Sequence, residues 1–283
     1  HADVLSFDLA VRGRTVLVDP GTFTYTGSPE LRDHFRSSSA HNTVTIDGES
    51  SAVPAGPFSW SETTEGVMSH WINRGRFDLC TGTHGGYQRL ASPAEHKRRI
   101  MFLHGEYFIV RDRIRSEGAH RVELNFHAAA GLNCVQRADG VGVTLATSGE
   151  SAAPVLDLLT FDQGLNGRWR IESDFVSRCH QSRESAPVAI YGGNAAGAAD
   201  AITFMLPRFV NEPPVTIEEL EVHGGRAFAL QGDSFTDRLI LSNGGLLLQD
   251  GLWSDFRWAW VRFSEAGLLR EAILWDGKEF RVG

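Results

Sequence analysis

Residues 121–127 read RVELNFH, and this stretch determines the fold class. Val122, Leu124 and Phe126 fall on one side of an extended chain, and the polar residues between them fall on the other. A period of two with one apolar face is typical of a strand that covers a core on one side. Similar short, turn-bounded apolar runs recur at 42–46, 99–103, 107–110, 188–191, 201–206, 228–230, 238–241, 246–249, 257–263 and 273–275. The sequence therefore predicts an all-β protein, a large antiparallel multi-sheet β-sandwich.

Around these strands, a few segments carry other local signals. Residues 29–35 predict a short helix with Ser28 as its N-cap, and Asp47-Gly48 predicts a tight turn after a strand. We also predict a strand over residues 4–9 and a long surface loop over residues 50–65, which contain two prolines.

The Glu212-Pro213-Pro214 stretch is the best candidate for an internal boundary. It predicts a β-sandwich domain over residues 1–210. Residues 211–283 would form a smaller C-terminal β-sheet or continue the sandwich.

Composition excludes several classes of protein. The 283 residues include 27 basic and 35 acidic side chains, a formal net charge of −8, which argues against nucleic acid as a main partner. A polyanion that needs only a local basic groove or a bound cation stays compatible with this charge. No apolar run approaches the ~20 residues of a membrane-spanning helix. The three cysteines are far apart, which disfavours both a disulfide framework and a cysteine-based zinc site.

Three potential metal ligands stand near the start of the chain, His1, Asp19 and His41. The segments between them read as strands and a polar loop, so the three side chains are expected to converge at one end of a sheet. Two imidazoles and one carboxylate suit Zn²⁺ or another divalent first-row cation. The alternative is structural, because an Asp before Pro-Gly is often a turn residue and a single histidine is usually not a ligand.

The contexts of these residues form a recognisable series: HADVLSF at 1–7, LVDPGTFTY at 17–25, FRSSSAHNTV at 35–44, KRRI at 97–100 and VELNFH at 122–127. The series resembles the C-terminal β domain of the bacterial heparinase II/III-like polysaccharide lyases. The resemblance implies a mainly structural metal site at His1, Asp19 and His41. It also implies cleavage of uronic-acid-containing, anionic polysaccharides by β-elimination, and we expect a periplasmic or secreted protein, with a cytoplasmic location left open.

In that family the catalytic tyrosine lies on an N-terminal helical toroid, and a catalytic histidine immediately precedes the residue that matches His1. The resemblance therefore implies that the acid and base lie upstream of His1. It makes the N-terminal helical domain a partner of this chain. We expect residues 1–283 alone to show no β-elimination.

Arg36, Asn42 and Tyr25 are candidate substrate-binding residues. A β-eliminating lyase must make the C5 proton of a uronic acid more acidic, and a cation or amide donor on the sugar carboxylate does this. Local alternatives exist for each, since Arg36 can pair with Asp33 or Glu30, Asn42 can cap a strand end, and Tyr25 can pack in the fold. Residues 96–99, HKRR, are expected to be a solvated strand face.

Two other functions compete with a lyase domain. One is a carbohydrate-binding β-sandwich without catalysis. The other is a copper-dependent polysaccharide monooxygenase, in which a free α-amino group and the ring of His1 chelate copper together with a second histidine. The contexts of Asp19 and His41 argue against the copper enzyme.

Overall fold

Strands dominate the computed structural model, which describes residues 1–149, 152–209, 212–248 and 251–282. Strands account for 57% of the residues and helix for 4%. The ladders of the large sheets are antiparallel. The predicted all-β antiparallel fold is confirmed.

The chain forms two compact units, His1–Val210 and Asn211–Gly283. The first holds helix α1 (Pro29–Phe35), a 3₁₀ turn (Ser38–Ala40) and sixteen described strands: β1 (Leu9–Val11), β2 (Arg14–Leu17), β3 (Val44–Ile46), β4 (Val53–Gly56), β5 (Ser59–Glu62), β6 (Gly66–Asn73), β7 (Phe77–His84), β8 (Ala94–Leu103), β9 (Phe108–Ser116), β10 (His120–His127), β11 (Leu132–Gln136), β12 (Gly142–Thr147), β13 (Pro154–Gln163), β14 (Arg168–Cys179), β15 (Ser182–Ala195) and β16 (Ala199–Pro207).

The second unit holds shorter strands: β17 (Thr216–Leu220), β18 (Gly225–Gln231), β19 (Thr236–Ser242), β20 (Leu246–Leu247), β21 (Trp253–Ser254), β22 (Trp258–Phe263), β23 (Leu269–Trp275) and β24 (Phe280–Arg281). They form a five-stranded sheet, β17-β18-β19-β22-β23, and a three-stranded sheet, β20-β21-β24. Ala227, Ile240 and Val261 lie in a buried apolar cluster of this unit.

Two sheets make the sandwich of the first unit. One has eight strands in the order β11-β12-β13-β16-β9-β8-β7-β6, and the other has four in the order β14-β15-β10-β3. Val122, Leu124 and Phe126 of β10 share a buried cluster with Val110 and Ile114 of β9. The alternation in residues 121–127 thus marks the core as predicted. The polar side of β10 is also covered, because Asn125 and His127 are each 2% exposed.

The predicted strand over residues 4–9 is wrong, since only Leu9 of that range belongs to a strand. Leu5 adopts a positive φ of 64°, which breaks the extended run. Buried side chains take the backbone carbonyls that a ladder would use, with donors Thr43 on Val4, Arg98 on Leu5 and Asn42 on Phe7. These bonds hold residues 4–7 beside the chain that follows His41.

The predicted helix and the predicted tight turn are both confirmed. Helix α1 begins where the sequence predicts, and the Ser28 hydroxyl accepts from the amide of Leu31 at 3.3 Å. Asp47 and Gly48 both have positive φ in the predicted turn. The expected loop over residues 50–65 is instead occupied in part by the β4–β5 hairpin. No described helix has the length and apolar character needed to cross a membrane.

Candidate metal centre

The N-terminal segment is tied to the loop that carries His41. The amide of Ala2 donates to the carbonyl of Arg36 at 2.8 Å. The Ser38 hydroxyl donates back to the carbonyl of Ala2 at 2.5 Å. His41 follows the 3₁₀ turn directly, so these bonds bring residues 1–3 against it.

His1 and His41 lie close together in the structure, and Asp3 joins them. One ligand atom of each of the three residues lies within 4.8 Å of the others. The two imidazole centroids are 5.2 Å apart. His1 and Asp3 are exposed, whereas His41 is fully buried. The cluster therefore opens to solvent on the side of His1.

The two ring nitrogens of His41 have different surroundings. Nδ1 lies 2.7 Å from Oδ2 of Asp19. A carboxylate at that distance keeps the proton on Nδ1, so the neutral ring has its lone pair on Nε2. Nε2 is buried and has no hydrogen-bond partner in the described part of the chain. A buried acceptor without a partner costs about 1–3 kcal/mol, which a bound cation would offset.

Asp19 holds this ring from the Pro20-Gly21 turn. Gly21 donates its amide to Oδ1 at 2.8 Å. Burial opposes ionisation of Asp19, but the hydrogen bonds from His41 and from the amide of Gly21 outweigh it and lower the pKa of Asp19. Burial and the charge of Asp19 together raise the pKa of the nearby Asp8. Asp19 thus stands on the nitrogen of His41 opposite the unpartnered one. Its role as a direct ligand stays a prediction.

Sequence reasoning missed Asp3, although a signal was present. Asp3 is two residues from His1 in the same HAD stretch. Its carboxylate is in reach only because the backbone of residues 1–3 is pinned at Ala2.

Arg36 lies buried at 1% exposure. It donates to Oδ1 of Asp33 from Nε at 3.1 Å and from Nη2 at 2.8 Å, and it also donates to the carbonyls of Gly56 and Pro57. Its guanidinium carbon stands 4.5 Å from the ring centroid of Trp60. These contacts hold the His41 loop to the β4–β5 region. Direct contact of Arg36 with substrate stays a prediction.

Asn42 is fully buried and joins three segments. Its Nδ2 donates to the carbonyls of Phe7 at 2.9 Å and Val18 at 3.0 Å. Its Oδ1 accepts from the amide of His127 at 2.7 Å. The residue before Asp19 and the residue after His41 are therefore fixed together. Direct contact of Asn42 with substrate also stays a prediction.

Tyr25 lies at the surface, 47% exposed. Its ring is nearly parallel to Phe58 and to His180, with centroids 6.0 and 5.8 Å away. We call these three residues the aromatic cluster. Arg32, which sequence reasoning missed, places its guanidinium carbon 5.2 Å from the Tyr25 ring and Nη1 3.5 Å from Nε2 of His1. Arg32 thus connects the aromatic cluster to the candidate metal centre.

Two further histidines flank this region. His34 lies 2.7 Å from Asp174, and this hydrogen bond raises its pKa against the effect of burial. His127 bonds the carbonyl of Ser39 at 2.8 Å, and burial lowers its pKa to about 4. His127 is therefore neutral at neutral pH, and its contact with Ser39 supports the turn before His41.

A second cluster of histidine and carboxylate side chains is buried on strands β7, β8 and β9 of the eight-stranded sheet. It consists of His84, His96, Arg98 and Asp112, and we call it the buried network. Asp112 accepts from Nε of Arg98 at 2.7 Å and lies 2.7 Å from Nε2 of His96. Nδ1 of His96 is 3.1 Å from Nε2 of His84. The expected solvated face at residues 96–99 is wrong, because His96 and Arg98 point to the core side of β8 and Arg99 is also buried.

The buried network carries balanced charge. Burial lowers the pKa of His84 to about 3 and also lowers that of His96. Burial would raise the pKa of Asp112, but Arg98 and His96 hold it at about 2. At neutral pH the network is therefore one ion pair with two neutral imidazoles.

A family model described as heparinase II/III-like, C-terminal, matches residues 1–204. A heparin-sulfate lyase of Pedobacter heparinus is 26% identical over 133 residues, which are 46% of this chain and 18% of that protein. A heparin-sulfate lyase of Bacteroides stercoris is 24% identical over 149 residues, 52% of this chain and 20% of that protein. The chain thus matches about a fifth of the length of these curated relatives.

Solved structures resemble the chain in fold. A heparan sulfate lyase from Pedobacter heparinus superposes with a TM-score of 0.68 at 19% identity, over 86% of this chain and 37% of that one. A heparinase III gene product superposes with a TM-score of 0.66 at 18% identity, over 93% of this chain and 36% of that one.

Proposed function

Because the chain belongs to the heparinase II/III-like C-terminal family, we propose that it is the β domain of a lyase that cleaves uronic-acid-containing polysaccharides by β-elimination. In this reaction a base removes the C5 proton, the bond from C4 to the glycosidic oxygen breaks, and that oxygen takes up a proton. A double bond between C4 and C5 remains in the product. Nε2 of His41, which is buried and has no hydrogen-bond partner among the described residues, lies beside exposed His1 and Asp3 and supports placing the site here.

We propose that a divalent cation, most readily Zn²⁺, binds His1 and His41 together with one carboxylate. Two imidazoles and a carboxylate fit this ion, and a carboxylate on the second nitrogen of a ligating histidine is a common supporting contact. The cation would contribute positive charge near the substrate carboxylate. Asp19 is the carboxylate that the family resemblance implies, and Asp3 is the one grouped with the two imidazoles here.

Calorimetric titration with Zn²⁺ distinguishes these carboxylates. Asp3→Asn and Asp19→Asn keep the side-chain size and remove the charge. The variant that loses a direct ligand is expected to bind much more weakly than the variant that loses a supporting contact. If neither variant nor His41→Ala changes the binding, the cation site is elsewhere.

The aromatic cluster and Arg32 would contact the sugar chain. A guanidinium suits carboxylate or sulfate groups, and an exposed tyrosine offers a face and a hydroxyl to a sugar. Arg36 and Asn42, being buried, would act by holding the His41 loop in place. The acid and base are expected outside residues 1–283, as the family resemblance implies.

The test is the ultraviolet absorbance of unsaturated products on a uronate panel of heparan sulfate, hyaluronan and alginate. Residues 1–283 are assayed alone and together with their natural upstream sequence. We expect turnover only with the upstream sequence. Tyr25→Ala is expected to raise KM about 10-fold, since one aromatic contact is worth roughly 1–1.5 kcal/mol. Trp71→Ala, which removes another exposed aromatic residue, is the matched control.

A carbohydrate-binding module without catalysis is the second candidate, and the exposed aromatic cluster favours it. Binding of a uronate polymer by residues 1–283, without turnover by the longer protein on any uronate, would support this function instead. Affinity electrophoresis with Tyr25→Ala and Trp71→Ala measures that binding directly.

A further inference from the structure

Arg98 joins two segments that are far apart in the sequence. It is 2% exposed, and its Nη1 donates to the carbonyl of Leu5 at 2.9 Å and to that of Asn42 at 2.6 Å. Leu5 follows His1 and Asp3 by a few residues, and Asn42 is next to His41. Nη1 of Arg98 therefore binds the backbone of both segments that carry the side chains of the candidate metal centre.

The guanidinium is itself held in one orientation. Nε donates to Oδ1 of Asp112 at 2.7 Å and Nη2 donates to Oδ2 at 3.0 Å, which is a bidentate pair. Asp112 is 2% exposed. Because Nε and Nη2 are both bound to Asp112, the guanidinium plane is fixed, and Nη1 is directed at the carbonyls of Leu5 and Asn42.

The histidines fix Asp112 in turn. Gly86 donates its amide to Nδ1 of His84 at 3.2 Å, so His84 carries its proton on Nε2 and donates to Nδ1 of His96. His96 then carries its proton on Nε2, where it donates to Asp112. Every donor in this chain of bonds has one acceptor, and the chain ends on the carboxylate that orients Arg98.

We propose that Arg98 is a positioning residue for the candidate metal centre: by holding the carbonyls of Leu5 and Asn42 it sets the distance between His1 and His41. The proposal rests on the proposed cation site. It assigns to the buried network a role in the geometry of that site, in addition to its role in stability.

Arg111 provides a matched control. It lies on the neighbouring strand β9 and points to the opposite face of the same sheet from Asp112. Its Nε and Nη2 pair with the carboxylate of Asp200, at 2.9 and 2.5 Å. Arg111 is thus a shielded arginine in a similar ion pair, but its partner belongs to β16 rather than to the segments of His1 and His41.

The experiment compares Arg98→Met, Arg98→Lys and Arg111→Met in the chain of residues 1–283. The first readout needs no metal and follows the ¹⁵N chemical shifts of the His41 ring together with amide exchange of residues 2–7 and 41–43. We expect Arg98→Met to shift the His41 ring signals and speed exchange in both segments. Arg98→Lys, which keeps the charge but not the bidentate fork, should show a smaller change. Arg111→Met should leave these signals as in the wild type.

The second readout is Co²⁺ affinity with its visible absorption spectrum. Loss of a residue that orients metal ligands typically lowers affinity 10–100-fold, so we expect a decrease in that range for Arg98→Met and none for Arg111→Met. If Arg98→Met does not fold, Arg98→Lys and Asp112→Asn replace it in both readouts.

The outcomes are distinct. Unchanged His41 signals and exchange in the Arg98 variants would overturn the positioning role, and so would equal changes in Arg111→Met. A wild-type chain that binds no Co²⁺ or Zn²⁺ would remove the proposed cation site, while the ring signals and exchange would still decide whether Arg98 sets the geometry of His1 and His41.

Discussion

The candidate metal centre and the buried network contain the same types of side chain, but they differ in how completely these side chains are hydrogen-bonded. Each contains two histidines with an aspartate on a ring nitrogen at 2.7 Å. In the buried network the imidazole nitrogens are engaged in a directed series of hydrogen bonds that runs from the amide of Gly86 to the carboxylate of Asp112. In the candidate centre Nε2 of His41 is buried without a partner in the described chain, and His1 and Asp3 open to solvent.

The difference shows that residue types alone do not identify a ligand site. A histidine and carboxylate cluster whose hydrogen bonds are complete has no lone pair left for an ion, and it contributes to stability through balanced charge. A cluster with one orphaned nitrogen and an exposed rim has a lone pair and a route for the ion. The completeness of the hydrogen bonds therefore separates a structural cluster from a candidate site.

The largest expected effect on the free energy of unfolding comes from breaking the buried network. Asp112→Ala leaves the Arg98 charge buried without its partner, and such changes typically cost about 3–5 kcal/mol of the free energy of unfolding. Asp19→Ala removes a carboxylate whose side chain is 42% exposed, so its cost should be about 1 kcal/mol. Urea unfolding of both variants measures the contrast. Equal losses of unfolding free energy would contradict a difference between a fully hydrogen-bonded buried network and an open candidate metal centre.

The next effect, stabilisation by Zn²⁺, is specific to the candidate metal centre. At a free Zn²⁺ concentration of 100 times Kd, a single site on the folded state raises the free energy of unfolding by about 2.7 kcal/mol. His41→Ala should abolish this increase, and His223→Ala, at an exposed histidine of the second unit, should keep it. Thermal or urea unfolding with and without Zn²⁺ provides the measurement. An increase that survives in His41→Ala would assign the ion to other residues.

The smallest effect, over the measured range from pH 7.5 to 5.5, concerns protonation of the buried network. The pKa of folded His84 is about 3, below the ordinary 6.5, so the unfolded chain takes up a proton there first as pH falls. The contribution of His84 to the free energy of unfolding is therefore fully present above pH 6.5. It decreases towards pH 3 by up to about 1.4 kcal/mol per pH unit. His34, whose pKa is raised, contributes with the opposite sign.

Unfolding at pH 7.5, 6.5 and 5.5 in the wild type and in His84→Gln measures this contribution. We expect the variant to have the shallower dependence, because it lacks the group that protonates on unfolding. The same slope in both proteins would show that His84 is not protected from protons in the folded state.

Much of the fold was predictable because its signals are local. The period of two in residues 121–127, the cap at Ser28 and the turn at Asp47-Gly48 all depend on neighbours in sequence. The strand expected over residues 4–9 failed for the opposite reason. Its carbonyls are claimed by side chains from residues 42, 43 and 98, which no local pattern reveals.

The residues of the candidate metal centre likewise include some that local sequence signals identify and some that only long-range contacts reveal. His1 and His41 were identified from their sequence contexts, and the structure brings them together. Arg32 and Arg98 were not identified, because their contacts with His1 and with Leu5 span 31 and 93 residues. Residues 96–99 looked like a solvated basic run, since the sequence does not show that His96 and Arg98 share the core side of β8 with Asp112 of β9.

Anomalous X-ray diffraction at the zinc absorption edge, from crystals of residues 1–283 grown with Zn²⁺, locates a bound ion at either cluster. We expect one strong peak about 2.0–2.1 Å from a ring nitrogen of both His1 and His41, with a carboxylate oxygen of Asp3 or Asp19 at about 2.0–2.2 Å. No anomalous density is expected at His84 and His96. A peak at the buried network, or no peak at His1 and His41 under saturating Zn²⁺, would contradict the proposed cation site.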